Sequence, residues 1–260
     1  MLNLRTFFAV ASVVLIVAVP VTAQSGAIDP AGPGETNVTY RGADGATLRG
    51  YLARPAGAGP HPAVLMIHEW WGLNVDTTIL ADALAAEGYV VLAPDAFRGS
   101  LARTSQEAMA QLRSTPGEQI ASDLDAALAY LMSHPAVDAD RVASMGFCFG
   151  GTQSMYLGTR AEGLAAVVTF YGSGPIQDSA QLGRIPDNAP VLGIFGEDDR
   201  SISVAEVRGF ERALDQAGAG NEIVIYPGVG HAFVKSDTYN DGGAPQQAWE
   251  RLVAFLDSEL

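Results

Sequence analysis

The chain predicts an α/β fold, a mostly parallel central sheet with helices on both faces and an N-terminal antiparallel hairpin. Two observations carry this. Short apolar runs alternate with amphipathic segments, as when strands buried on both faces are covered by helices. Ahead of them, two β-prone runs flank Gly42-Ala43-Asp44-Gly45, whose Asp-Gly step is a hairpin signal.

In chain order, the first feature is an apolar run from Phe7 to Val19 behind a single positive charge, Arg5, ending in Pro20 and Val21-Thr22-Ala23. This is the pattern of a secretory signal peptide, residues 1–23, with a small-residue cleavage site near Ala23. The run falls short of the about 20 residues that a membrane span needs. Export is therefore expected, to a periplasm or beyond the cell, with no stable membrane insertion after cleavage. Residues 24–35, rich in Gly, Pro, Ala and Ser, read as a flexible leader, and 36–260 as a single domain.

The hairpin strands are expected at 36–41 and 47–54. Strands of the parallel sheet follow at 63–68, 89–93, 142–147, 165–171, 191–195 and 222–226, each short and apolar. Between them Ile120, Leu124, Leu128 and Leu131 recur at helical spacing, as do Val207, Phe210 and Leu214. Trp249, Leu252, Val253 and Leu256 form an i, i+3, i+4, i+7 stripe near the end. All three stripes read as core-facing.

Charge and composition exclude several function classes. A net charge of −14 repels phosphate backbones and anionic membranes, so no nucleic-acid partner is expected. Phosphate-binding glycine loops are absent, and His68-Glu69-Trp70-Trp71-Gly72 lacks the second histidine of a zinc-protease helix. The four histidines are scattered, which argues for chemistry without metal or cofactor. The chain has one cysteine. In an oxidising compartment a lone thiol forms no internal disulfide and is either buried and inert or kept for its reactivity.

That cysteine sits in Gly146-Phe147-Cys148-Phe149-Gly150-Gly151, between an apolar run and a helical segment. The strand, tight turn, helix context is that of a nucleophile elbow, usually G-x-S-x-G, with cysteine in place of serine. An acid and then a histidine should follow in chain order. Glu197, Asp198 and Asp199 lie just past one strand, and His231 just past the next, where open α/β sheets place their sites. A thiol of ordinary pKa near 8.5 needs an imidazole to take its proton, and a carboxylate to fix the imidazole's tautomer. Spacing alone leaves all three acids open. The developing oxyanion needs two donors, expected from the backbone N–H of Phe149 and that of Trp70, while the side chains of Trp70 and Trp71 either wall the pocket or form a packing plug.

Five motifs in order, His68-Glu69-Trp70-Trp71-Gly72-Leu73-Asn74, Ala93-Pro94-Asp95, Gly146 to Gly151, Gly196-Glu197-Asp198-Asp199 and Gly230-His231-Ala232-Phe233, resemble the dienelactone hydrolase family of α/β-hydrolases. The resemblance implies a Cys-His-Asp triad that opens a small unsaturated lactone bearing a carboxylate, a carboxymethylenebutenolidase reaction, through a thioester acyl-enzyme. Carried onto this chain, it makes Cys148 the nucleophile, Asp199 the acid and His231 the base. Glu69 matches a glutamate that touches the resting thiol and helps to form the thiolate. The family's substrate carboxylate is held by two arginines. Here Arg98 falls one position early, and Lys235, the chain's only lysine, stands in the second arginine's place. The expectation is an exported, monomeric, cysteine-dependent hydrolase acting on a small-molecule ester or lactone. Its rivals are a hydrolase scaffold that binds a ligand with its thiol idle, and a thiol protease, which the family's narrow pocket disfavours.

Overall fold

A computed structural model describes residues 32–260 apart from Asp187. The expected signal peptide, and the leader up to residue 31, lie outside the described residues.

Eight strands form one sheet in the order β1-β2-β4-β3-β5-β6-β7-β8. The antiparallel hairpin is β1 (Val38–Arg41) and β2 (Thr47–Ala53), in register Val38 to Gly50. β2 runs antiparallel to β4 (Val90–Pro94), and every later pairing is parallel, through β3 (His61–Ile67), β5 (Val137–Phe147), β6 (Ala166–Phe170), β7 (Val191–Gly196) and β8 (Asn221–Tyr226). Successive residues of a strand point to opposite faces. Every residue of β4, β6 and β7 is buried, so helices cover both sides of the sheet, as the apolar runs imply.

The helices are α1 (Val75–Ala86), α2 (Ser105–Ser114), α3 (Gly117–Met132), α4 (Phe149–Gly158), α5 (Ser179–Leu182), α6 (Val204–Ala217) and α7 (Gly243–Glu259). The three apolar stripes fall on α3, α6 and α7 and face the core, with Val253 only partly covered. Two helix starts not singled out above have ordinary caps. Asn74 accepts from the Thr77 N–H ahead of α1, and Thr104 from the Glu107 N–H ahead of α2. Among the described residues no helix is long and apolar enough to cross a membrane.

For function the important placement is at the carboxyl ends of β3, β5, β6, β7 and β8. These ends lie side by side, and the loops leaving them meet over one concave surface.

Candidate active site

Cys148 occupies the sharp turn between β5 and α4 with φ 53° and ψ −114°, a conformation that costs a non-glycine residue about 1–3 kcal/mol. The surroundings enforce it. The Cys148 N–H donates to the Phe170 carbonyl at 2.9 Å, and two glycines make the close approach possible. A Cβ on Gly146 would overlap the backbone of Gly150, and one on Gly150 would strike the carbonyls of Ile67 and His68. Helix α4 can thus begin directly against the end of β3.

Asp199 and His231 follow neighbouring strands, and their loops are tied to one another before the side chains meet. The Glu197 N–H donates to Tyr226 O at 2.8 Å and the Asp198 N–H to Val229 O at 3.0 Å, joining the loop after β7 to the loop after β8. Gly196 sits where a Cβ would overlap the Val229 and Gly230 carbonyls. Asp199 then turns inward. Its Oδ1 accepts from the N–H groups of Ser201 (2.7 Å) and Ile202 (3.1 Å), and its Oδ2 lies 2.7 Å from His231 Nδ1. Of the three acids left open by spacing, Asp199 is the one that holds the histidine.

The electrostatics follow from this packing. Burial pushes the Asp199 carboxyl up, but the hydrogen bonds from His231, Ser201 and Ile202 outweigh it and hold the group below the usual carboxylate range. Burial likewise lowers His231, yet its hydrogen bonds with Asp199 and Cys148 push it up to about 10. With Nδ1 turned to Asp199, Nε2 is left for the sulfur. Ser173 Oγ stands 4.0 Å from Sγ.

Cys148, His231, Glu69, Trp70, Trp71, Ser173, Ser201, Ala232 and Lys235 line a cavity of about 290 Å³. The N–H of Phe149 opens α4, where a helix has no internal acceptor for it, and the N–H of Trp70 lies in the turn after β3. Neither is engaged by another group among the described residues. The indoles of Trp70 and Trp71 meet edge to face at 5.2 Å. Trp71 also packs on Ala102 and Ala108, so the pair is both wall and plug.

Two expected contacts differ. Glu69 does not hydrogen-bond the thiol: its Oε2 takes Lys235 Nζ at 2.6 Å, and its Oε1 has no partner among the described residues. Arg98 lies away from the cavity. Its guanidinium takes the buried Asp123 carboxylate through two 2.7 Å bonds and reaches Asp44 at 2.9 Å, since a carboxylate as covered as Asp123 requires a cation. Lys235 does reach the cavity, but already paired to Glu69 and 3.9 Å from Asp76.

Other contributors carry no spacing signal. Tyr171, at the end of β6, donates its hydroxyl to Val234 O at 3.0 Å and sets its ring 5.2 Å from His231, bracing the histidine loop. His68 is fully buried. Its Nε2 accepts from the Ala96 N–H and its Nδ1 donates to Glu69 O, fixing the turn that carries Glu69 and Trp70.

Comparison with known proteins points the same way. Residues 48–260 match the family described as Dienelactone hydrolase family. A Synechocystis protein provisionally named a carboxymethylenebutenolidase is 31% identical over 229 residues, covering 82% of this chain and 92% of its own. A Bradyrhizobium protein, provisionally named a 2-oxo-3-(5-oxofuran-2-ylidene)propanoate lactonase, is 30% identical and covers 83% and 91%. Among solved structures, a provisionally assigned dienelactone hydrolase from Klebsiella pneumoniae superposes with a TM-score of 0.74 at 29% identity, covering 86% of this chain and 98% of its own.

Proposed function

The chain belongs to the dienelactone hydrolase family, and from that premise and the cavity's geometry we propose that it hydrolyses small carboxylic esters or lactones with Cys148 as the nucleophile. The observation that carries the proposal is the placement of Cys148, on a strained turn, beside a histidine whose far nitrogen is held by Asp199 at 2.7 Å.

Each step has a group in place. His231 Nε2 holds the proton that the thiol gives up, and Sγ attacks the carbonyl carbon to form a tetrahedral oxyanion. The N–H groups of Phe149 and Trp70 receive that oxyanion. As it collapses, the C–O bond to the leaving alkoxide breaks and His231 returns the proton to the alkoxide oxygen, leaving a thioester on Cys148. Water, deprotonated by His231, then attacks the thioester and frees the carboxylic acid and the thiol. Asp199 holds the imidazolium that forms in each half-reaction.

The test is hydrolysis of a small activated ester by purified protein. Cys148→Ala and His231→Ala should each lower kcat by about 10⁴-fold or more, as when one member of a triad is removed. Undiminished turnover by Cys148→Ala would sink the proposal. The run from Phe7 to Val19 ahead of Val21-Thr22-Ala23 supports export as part of the same reading. The mass of the mature protein recovered from outside the cytoplasm should correspond to cleavage near Ala23.

A further inference from the structure

The loop after β6 brings a second polar group to the sulfur. Besides His231, the hydroxyl of Ser173 is the one group among the described residues within hydrogen-bond reach of Cys148 Sγ, at 4.0 Å from that large atom. Ser173 is exposed and lines the cavity, so the hydroxyl is open to the reacting atoms.

The fold fixes where this serine stands. β6 ends at Phe170, and Tyr171 turns the chain with φ 39°, a left-handed conformation uncommon for a residue other than glycine. Gly172 then presses against α4, where a Cβ would lie 2.5 Å from Thr169 Oγ1 and 2.9 Å from the backbone nitrogen of Thr152. Thr152, in the first turn of α4, donates its N–H to the Cys148 carbonyl at 3.1 Å and its hydroxyl to the Ser173 carbonyl at 2.8 Å. One threonine thus clamps the nucleophile's turn and the serine's loop to each other.

The position of one proton decides which way the contact runs. A neutral thiol is a weak donor and a weak acceptor, but with its proton on His231 the sulfur is an anion and can only accept. The Ser173 hydroxyl has a proton to give, and no other acceptor among the described residues takes it. Lys235 is not available for this, since its Nζ is bound to Glu69. The remaining titratable groups near the sulfur are Glu69 on the loop after β3, Asp76 beyond Lys235, Asp199 behind His231, and Tyr171, a phenol pushed well up chiefly by burial. A change at Ser173 leaves all of them with their partners.

Resting on the reading of Cys148 as the nucleophile of an ester hydrolase, we propose that Ser173 is a further catalytic residue, whose hydroxyl donates to the Cys148 sulfur while the thiol proton is on His231 and so sets how much attacking thiolate is present. No bond to Ser173 forms or breaks.

The test is the pH dependence of alkylation by iodoacetamide, which reads Cys148 alone because the chain has one cysteine. Ser173→Ala removes the hydroxyl from an exposed position, and Ser173→Thr keeps it. The rate rises with pH as the thiolate forms. In Ser173→Ala that rise should move up by about half to one pH unit, making alkylation on the rising limb about threefold to tenfold slower, the range for one hydrogen bond. On the alkaline plateau the rate should be equal or up to about threefold faster, because a thiolate that forms less readily is the stronger nucleophile. Ser173→Thr should restore the original curve, and kcat/KM for an activated ester should follow the same limb in all three proteins. A rise at an unchanged pH in Ser173→Ala overturns the proposal, as does a loss of equal size at every pH, which marks the serine as packing only. A curve for Ser173→Thr that matches that of Ser173→Ala overturns the assignment to the hydroxyl. The expected shift in alkylation with no ester turnover, or turnover that survives Cys148→Ala, strikes instead at the hydrolase reading on which the proposal rests.

Discussion

Asp199 divides its carboxylate between two tasks, giving Oδ2 to His231 Nδ1 at 2.7 Å and Oδ1 to the backbone N–H groups of Ser201 and Ile202. The second task keeps the first in register, since the Oδ1 bonds stop the side chain from rotating away from the imidazole. Asp199→Asn presents a donor or a weaker acceptor to Nδ1 and disturbs the tautomer, and kcat for an activated ester should fall by about 10⁴-fold. Alanine at Glu197 or Asp198, whose side chains do not hold His231, should leave kcat within a few-fold. Steady-state kinetics of the three variants checks the assignment.

His231 gives a pH signature in stability. Its pKa is pushed up to about 10 in the folded protein, above the ordinary histidine value near 6.5. Proton binding therefore favours the folded state. The contribution is fully present below about pH 6.5 and is lost as pH rises towards 10. Denaturant titrations across that interval should show stability falling more steeply for the unaltered protein than for His231→Gln. Parallel slopes would mean that the imidazole is not held charged.

Gly150→Ala should damage both fold and activity. The added methyl meets the carbonyls of Ile67 and His68, the latter at 2.6 Å, and backbone cannot yield as a side-chain tip can. Overpacking of this kind costs about 1–3 kcal/mol, read as a lower denaturation midpoint. The start of α4 must also retreat from β3, moving the Phe149 N–H away from the Trp70 N–H. A shift of about 1 Å there is enough for roughly a hundredfold in kcat.

Arg98→Met separates support from catalysis. It strips the buried Asp123 carboxylate of two charge-assisted hydrogen bonds and releases Asp44. A loss of about 1.5–3 kcal/mol in stability is expected, with KM for both neutral and anionic esters unchanged. A change in KM confined to the anionic ester would return Arg98 to the substrate site.

The strands were legible because burial on both faces turns each into an unbroken apolar run, and the elbow because glycine is needed two places either side of Cys148. The acid was not settled by spacing. Which of three consecutive acids turns inward depends on the backbone bonds of Glu197 and Asp198 to the neighbouring loop, a tertiary fact. The Lys235–Glu69 pair joins residues 166 positions apart, and the diversion of Arg98 depends on how deeply α3 buries Asp123. Neither has a local pattern to read. Tyr171 passed as one more apolar residue in its run because its hydroxyl finds a partner only in the folded chain. The starts of α1 and α2 were available in Asn74 and in Thr104 followed by Glu107.

The order of strands across the sheet has a consequence for synthesis. Cys148, Asp199 and His231 follow β5, β7 and β8, which take their places around β6 and along the sheet only after each parallel crossover has been laid down. Parallel pairings of this separation close slowly, because loop entropy must be met before contacts reward it. A ribosome that has delivered Cys148 has yet to deliver His231, so the emerging chain carries a thiol with no base to activate it. On the proposed reading, ester hydrolysis is thereby postponed until the last strand docks, and a nascent or half-folded molecule does not turn over substrate.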